Sequence, residues 1–373
     1  MELSPGKLTT EERVTLELRG LYERYGFRKY RMSRFEEYRL YLENQSFLPS
    51  EQVITFTDLD GRLLALKPDV TLSIVKNAKD GEGVQRLYYI ENVYRAARES
   101  RGYREISQMG LELLGCVDGY AKAQVVQLAL RSLGAVGRSC LLDLSHMGFV
   151  VGLLEGLQIP AECGAGLLEC LRDKNAPELR RRALAAGLPQ GDADLLCGLT
   201  TLYGPFLPTL ERAAAMARGR VMQEALTQLR ELYDAIPDPE KADRLRLDFS
   251  MINDLSYYNG IIFQGFVEGV PHSLLAGGQY DRLMERFGKR GGAMGFALYL
   301  DELRRLPDPE ADLDADLLLE YRDVAPCQVA EAVERYTAQG QSVLAYPAPA
   351  PGAPRCGKRL LLDQTGLREV ASC

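Results

Sequence analysis

Three short stretches carry side chains suited to holding a small polar molecule: QMGLE at Gln108 to Glu112, SYYNG at Ser256 to Gly260, and GGQYD at Gly277 to Asp281. In a strand over Arg104 to Gly115 successive side chains point to opposite faces. Gln108, Gly110 and Glu112 then share one face while Met109, Leu111 and Leu113 line the other. The first face is a polar wall. The Gln108 amide can meet both charged groups of a zwitterion, and the Glu112 carboxylate accepts from a ligand N–H. A solvated strand face is the alternative reading; Gly110 argues against it, because a glycine inside a strand weakens it and often marks a close approach. Tyr257 and Tyr258 offer stacking area and phenol hydroxyls, or else are two core aromatics in a turn before a strand. The glycines of GGQYD permit close backbone approach beside Tyr280.

Positioning these groups requires a sheet. TTEERVTLELRGLYERYG reads as a helix with Val14, Leu18, Leu21, Tyr22 and Tyr25 on one stripe, Thr9 and Glu12 at its start and Gly26 past its end. VITFTDLDGRLLALKP places two apolar-rich runs around Asp60-Gly61, a hairpin signal, followed by a helix through Leu72 to Ala78. Strands over Arg86 to Arg95 and Arg104 to Gly115 enclose the loop AARESRG. A helix from Ala121 to Leu133 and the strand SCLLDLS follow. From Met147 to Ile236 the pattern is helical with turns at Gly187-Leu188-Pro189 and Tyr203-Gly204-Pro205, and no strand pattern interrupts it. Strands resume with LRLDFS and GIIFQGFV, and GGQYD leads into a short helix over Leu283 to Phe287. A further helix is expected over Phe296 to Arg305. The expectation is an α+β fold, one antiparallel sheet flanked by helices and built from both sides of a helical insertion.

After Leu306 the proline-rich, acidic PDPEADLDAD is linker chemistry. DLLLEY, a helix over Val329 to Ala338, SVLAYPA and KRLLLD then give a small α/β tail with the stiff loop PAPAPGAP. The resulting domains are 1–146, 147–240, 241–306 and 307–373, without internal repeats.

The 373 residues can bury a large core. No apolar run approaches the ~18 residues of a membrane span, and the N-terminus lacks a signal pattern, so a cytoplasmic protein is expected. Cysteines 116, 140, 163, 170, 197, 327, 356 and 373 form no C-x-x-C pair. Neither a disulfide framework nor a zinc site is suggested. With only His146 and His272 in the chain, a histidine-built metal site is almost excluded, and no cofactor is implied. A formal charge of −7 argues against a nucleic-acid partner held through phosphates.

The three stretches, in this order, resemble the class II aminoacyl-tRNA synthetase core, specifically histidyl-tRNA synthetase, and more closely its paralogues, the regulatory subunits of ATP phosphoribosyltransferase. The resemblance covers Thr10 to Leu306 and not the tail. It implies that Gln108, Glu112, Tyr257, Tyr258 and Tyr280 bind histidine. Lys67-Pro-Asp-Val-Thr71 resembles the block whose carboxylate and hydroxyl receive the ligand ammonium, which assigns that role to Asp69 and Thr71. Without the family, the same residues read as a helix start with Asp69 as its cap.

Amino-acid adenylation develops negative charge that fixed cations must stabilise. Arg95 in VYRAARES matches the arginine that holds the α-phosphate, a possible phosphate ligand; Arg98, Arg101 and Arg104 follow it. Elsewhere the family's arginines are replaced by Asn253, Gln279 and Glu302, and Ser33 stands at the proline of the first motif. The resemblance therefore implies a non-catalytic regulatory subunit, required by a short-form catalytic ATP phosphoribosyltransferase in a hetero-octamer. It further implies a homodimer core, histidine as feedback effector, and neither membrane nor nucleic acid as partner. The alternatives are a histidyl-tRNA synthetase or another class II amino-acid-activating ligase.

Overall fold

The computed structural model describes residues 8–45, 53–79, 83–96, 102–137, 139–159, 161–252, 257–306, 313–352 and 354–370. They form two compact units, one of residues 14–306 and one of residues 1–13 with 307–373.

The first helix, α1 (Thr10–Arg24), starts as its sequence requires. The Thr9 N–H reaches Glu12 Oε2 at 2.9 Å and the Glu12 N–H returns to Thr9 Oγ1 at 3.2 Å, a reciprocal cap. Gly26, at φ +81°, closes its far end. After β1 (Arg28–Lys29), the strands β2 (Phe35–Glu37), β3 (Thr55–Thr57) and β4 (Leu63–Leu66) form a small sheet in the order β2-β4-β3, beside α2 (Tyr38–Leu42). The β3–β4 turn is set by Asp58, whose Oδ1 accepts from the Asp60 and Arg62 N–H groups at 2.9 and 2.8 Å. Helix α3 (Thr71–Asn77) follows.

The large sheet begins with the long hairpin β5 (Val84–Ala96) and β6 (Tyr103–Gly115). Helix α4 (Gly119–Val136) and β7 (Cys140–His146) come next. A run of helices follows: α5 (Met147–Gly156), α6 (Ala161–Arg172), α7 (Ala176–Ala185), α8 (Gln190–Gly198), α9 (Phe206–Met216) and α10 (Gly219–Ala235). The run is broken by one strand, β8 (Tyr203–Pro205), where sequence alone gave a turn. It is an outer strand against β9, and Pro205 is tolerated there because an edge position needs no second row of hydrogen bonds. After the short α11 (Lys241–Arg244), the chain adds β9 (Leu245–Asp248), β10 (Ile261–Val267), β11 (Leu275–Gln279), α12 (Asp281–Arg286) and β12 (Gly292–Tyr299).

The nine strands run in the order β1-β5-β6-β12-β11-β10-β7-β9-β8. The sheet is mixed rather than wholly antiparallel, because β1 pairs with β5 and β7 with β9 in parallel. The expected helix over Phe296 to Arg305 is also corrected. Gly292–Tyr299 is strand, and only Leu300–Arg305 turns, as a 3-10 helix. The period-2 pattern wins there, with Met294, Phe296 and Leu298 buried in one core and Gly295, Ala297 and Tyr299 on the opposite face.

That alternation divides the interior. On one face, Met109, Leu111 and Leu113 join Val14, Leu18 and Tyr22 of α1, much of α4 and the helices from α5 to α10 in one continuous core. On the other face, Leu114, Tyr89, Val93 and Ala293 pack with Leu72, Ile74 and Val75 of α3 and with Tyr280. The candidate site lies on this second face. Among the described residues no helix is long and apolar enough to cross a membrane.

In the second unit, β13 (Ala315–Tyr321), α13 (Pro326–Thr337), β14 (Val343–Pro347), β15 (Cys356–Asp363) and β16 (Gly366–Val370) form a sheet in the order β14-β13-β15-β16. Glu320 is buried and holds Arg359 in a two-pronged pair at 2.9 and 3.0 Å while accepting from the Ala350 N–H at 2.7 Å, which ties the proline-rich loop to the central strand. Most of the expected linker, residues 307–312, lies outside the described residues.

Gly110 sits where β6 is tightest, since a Cβ would run into the Phe296 carbonyl oxygen and lie 2.5 Å from the Tyr89 hydroxyl. Gly110→Ala is expected to cost about 1–3 kcal/mol through forced displacement of Tyr89 and β12, measured as a lowered denaturant midpoint at unchanged slope.

Candidate functional site

Glu112 lies at the centre of the second face, 2% exposed. It stands opposite Gly295 in the β6–β12 register, and a Cβ at Gly295 would collide with its carboxylate. The missing side chain on β12 is the space Glu112 occupies. Thr71 Oγ1, in the first turn of α3, donates to Glu112 Oε1 at 2.8 Å, and the Tyr280 hydroxyl donates to Oε2 in a very short contact. Two of the expected binding residues therefore converge on the carboxylate of a third.

The aromatic residues form the adjoining wall. Tyr257 stacks on Tyr280 with centroids 5.4 Å apart and planes within 5°, and meets Tyr258 edge-on at 4.2 Å. Tyr258 presses on Gly278, where a Cβ would come within 2.8 Å of its ring. Gln108 is buried on the Glu112 face of β6, opposite Glu91 on one side and Tyr299 on the other. Tyr89 belongs to the same face; its hydroxyl occupies the space above Gly110. That close approach is therefore made by the chain itself.

Asp69 stands at the edge of this group. Its Oδ1 accepts from the first-turn Leu72 N–H of α3 at 2.8 Å, although Val70 rather than Asp69 holds the N-cap position, and Arg95 Nη2 lies 3.9 Å from Oδ2. Arg95 also donates through Nε to the Pro68 carbonyl at 2.8 Å, so its guanidinium is engaged within the chain. Lys67, which opens the Lys67-to-Thr71 block, is buried and paired with Glu91 at 2.5 Å. Glu302, where a nucleotide-binding arginine is expected from the family, pairs with Arg305 at 2.7 Å. Gln279 donates to Asp281 Oδ2 at 2.5 Å. Asn253, Ser256, Arg98 and Arg101 lie outside the described residues.

Burial, together with the neighbouring Asp69 carboxylate, drives the Glu112 carboxyl up to about 8, against the opposing pull of the Tyr280 and Thr71 hydroxyls. Burial likewise raises Asp69, partly offset by Arg95. Tyr257 and Tyr280 are held well above their ordinary value by burial and by the nearby negative charge. The site is rich in acceptors and potential negative charge. An ammonium or imidazolium group would complement it, and an additional anion would not.

Sequence reasoning missed Tyr89 and Gly295, and gave no role to Asn259 and Asp281 within SYYNG and GGQYD. Tyr89 has a legible signal in its register on β5, opposite Gly110. Gly295 has none without the pairing of β12 to β6.

The histidyl-tRNA synthetase family profile matches residues 1–303 of the chain. An ATP phosphoribosyltransferase regulatory subunit of Clostridium botulinum is 28% identical over 319 residues, covering 82% of this chain and 75% of that protein. A Bacillus halodurans crystal structure, described as an ATP phosphoribosyltransferase regulatory subunit/histidyl-tRNA synthetase, superposes with a TM-score of 0.77 at 22% identity, covering 92% of this chain and 90% of its own. That coverage exceeds residues 1–306, so the likeness in fold extends into the tail that the sequence resemblance left uncovered. A chain of an ATP phosphoribosyl transferase (HisG:HisZ) complex from Thermotoga maritima superposes with a TM-score of 0.61 at 15% identity, covering 78% of this chain and 97% of its own.

Because the native state retains the Glu112 proton that the unfolded chain releases near 4.5, this group contributes stability fully present below 4.5 and lost as pH rises through about 8. In thermal melts, Glu112→Gln should remove much of that decline, leaving the smaller slope due to Asp69; parallel melting curves for the two proteins across this range would refute the assignment.

Proposed function

The chain belongs to the histidyl-tRNA synthetase family, and from that membership we propose that it is a regulatory subunit of ATP phosphoribosyltransferase that binds histidine and conveys feedback inhibition. The observation that carries this reading is Glu112, a buried carboxylate between two hydroxyls with a second carboxylate as its charged neighbour. Such a group gains most from a cationic ligand, because the ligand's charge offsets the cost of burying its own. Histidine supplies an imidazole for Glu112, Tyr258 and Tyr280, an ammonium for Asp69 and Thr71, and a carboxylate for the Gln108 amide, with Tyr257 closing the aromatic wall.

The site is poorly furnished for activation. Adenylate formation needs cations at the α-phosphate, yet Arg95 is hydrogen-bonded to the Pro68 carbonyl and lies 3.9 Å from Asp69, and Gln279 and Glu302 stand at arginine positions. Glu302 supplies no cation where the family resemblance sets an arginine, and its pairing with Arg305 leaves that pair without net charge. Histidine binding without aminoacylation follows. Histidine would then act by binding one assembly state more tightly than another, since only differential affinity shifts an equilibrium.

The partner is a short-form catalytic subunit, in a cytoplasmic hetero-octamer around a homodimer core. The Thermotoga maritima complex supports the first part of this reading. Phe35, half-exposed and edge-on to Phe56 at 5.2 Å on one face of the β2-β4-β3 sheet, is the apolar feature offered for the homodimer. The acidic balance of −7 fits a protein partner rather than nucleic acid.

Family membership and the retention of Arg95 favour one second reading, a histidyl-tRNA synthetase. Histidine-dependent pyrophosphate exchange by the purified chain would support it and overturn the regulatory proposal. The regulatory proposal expects phosphoribosyl transfer when the chain is mixed with a short-form catalytic subunit, and its decline on adding histidine. Glu112→Ala should raise the histidine concentration for half-inhibition by roughly 10- to 100-fold, as for loss of hydrogen bonds to a charged group. Unchanged inhibition would remove Glu112 from the site.

A further inference from the structure

Asp281 follows Tyr280, and Asn259 follows Tyr258, so these two polar residues sit directly behind the aromatic wall. They hold each other in both directions: Asn259 Nδ2 donates to Asp281 Oδ2 at 3.1 Å, and the Asp281 N–H donates to Asn259 Oδ1 at 3.0 Å. The Asn259 N–H also donates to the Gln279 carbonyl at 3.2 Å. Asp281 reaches β12 as well, with Oδ1 accepting from the Ala293 N–H at 2.8 Å while Tyr280 N–H donates to the Ala293 carbonyl at 2.8 Å. Gln279 Nε2 adds a further donor to Asp281 Oδ2 at 2.5 Å. One carboxylate thus fastens three pieces of chain: the turn bearing Tyr257 and Tyr258, the strand end bearing Tyr280, and the strand bearing Gly295, against which Glu112 lies.

The geometry points to Asp281 and Asn259 as positioning residues of the histidine site: their reciprocal clasp sets the distance between the Tyr257–Tyr258 turn and Tyr280 and so fixes the tyrosines around Glu112. This rests on the histidine-binding reading above. Neither residue needs to touch the ligand. A turn next to a ligand is free to drift unless something outside the site fixes it, and ligand affinity falls steeply when supporting hydrogen bonds are lost. Asp281 suits the task because a carboxylate accepts several donors at once, here from a side-chain amide on each of two segments and a main-chain N–H on a third.

The clasp has a chemical signature that separates it from mere packing. Exchanging its members, Asn259→Asp with Asp281→Asn, preserves the pair with its polarity reversed. Residue 259 still accepts from the main-chain N–H of residue 281, and residue 281 still accepts from Ala293. The Gln279 Oε1, which is buried without a hydrogen-bond partner, could then accept from the new amide after the Gln279 side chain turns over.

The test is calorimetric titration of histidine into the purified full-length chain, with far-UV circular dichroism confirming the fold of each variant. Asn259→Ala should weaken histidine binding by roughly 10- to 100-fold. Asn259→Asp alone, which sets two carboxylates together, should weaken it at least as much. The double exchange should return the affinity to near that of the original chain. Asn259→Ala binding as tightly as the original, or a folded double exchange no better than Asn259→Asp alone, would overturn the clasp while leaving the histidine reading intact. An original chain that takes up no histidine would instead overturn the reading on which the clasp depends.

Discussion

A carboxylate held away from water between two hydroxyls sets the terms for the site. Glu112 is buried on β6 against β12, and its charge is opposed by the loss of solvent and by Asp69. Thr71 and Tyr280 relieve part of that cost, and each comes from a distant part of the chain, one from the start of α3 and the other from the end of β11. Forming the arrangement requires the large sheet to be assembled in register with α3 seated on it. Gly295 provides the room, since any side chain there would take the carboxylate's place.

The same sheet explains why one face can be polar. Its other face buries a continuous apolar core shared with α1, α4 and the helices from α5 to α10. That core supplies the driving force for folding, which scales with the apolar area removed from water. The site face carries a smaller cluster around Tyr89, Val93, Leu114 and the α3 residues, enough to seat the helix whose first turn presents Thr71. Stability and recognition are thereby assigned to opposite sides of one layer, as strand alternation allows.

Charge placement distinguishes this chain from what a nucleotide-activating site needs. Lys67 is consumed by Glu91, and Arg95 by Pro68 and Asp69. Glu302 places a negative charge where the family resemblance sets an arginine. Acceptors that suit an ammonium and an imidazole line the face, Lys67 and Arg95 are engaged within the chain, and Gln279 and Glu302 replace arginines, while the exposed Arg104 stands opposite Arg95 in the β5–β6 register. On this division rests the proposal that the chain senses histidine rather than activates it.

Much of this was legible in the sequence, for local reasons. Alternation put Gln108 and Glu112 on one strand face with Met109, Leu111 and Leu113 on the other, because side-chain direction in a strand depends only on position. The cap of α1 by Thr9 and Glu12 and the turn at Asp58 to Gly61 were readable because their hydrogen bonds close within a few residues. Other features depended on pairing between remote segments. AMGFALYL has apolar residues that fit a helix or a strand, and only its place between β6 and β11 settled on a strand. The β1–β5 and β7–β9 parallel pairs, the seat of Glu112 opposite Gly295, and the Asn259–Asp281 clasp all join residues distant along the chain. Sequence thus fixed which groups could share a face, whereas tertiary structure decided which of them meet, because contact across a sheet is set by register and register is a property of the assembled strands.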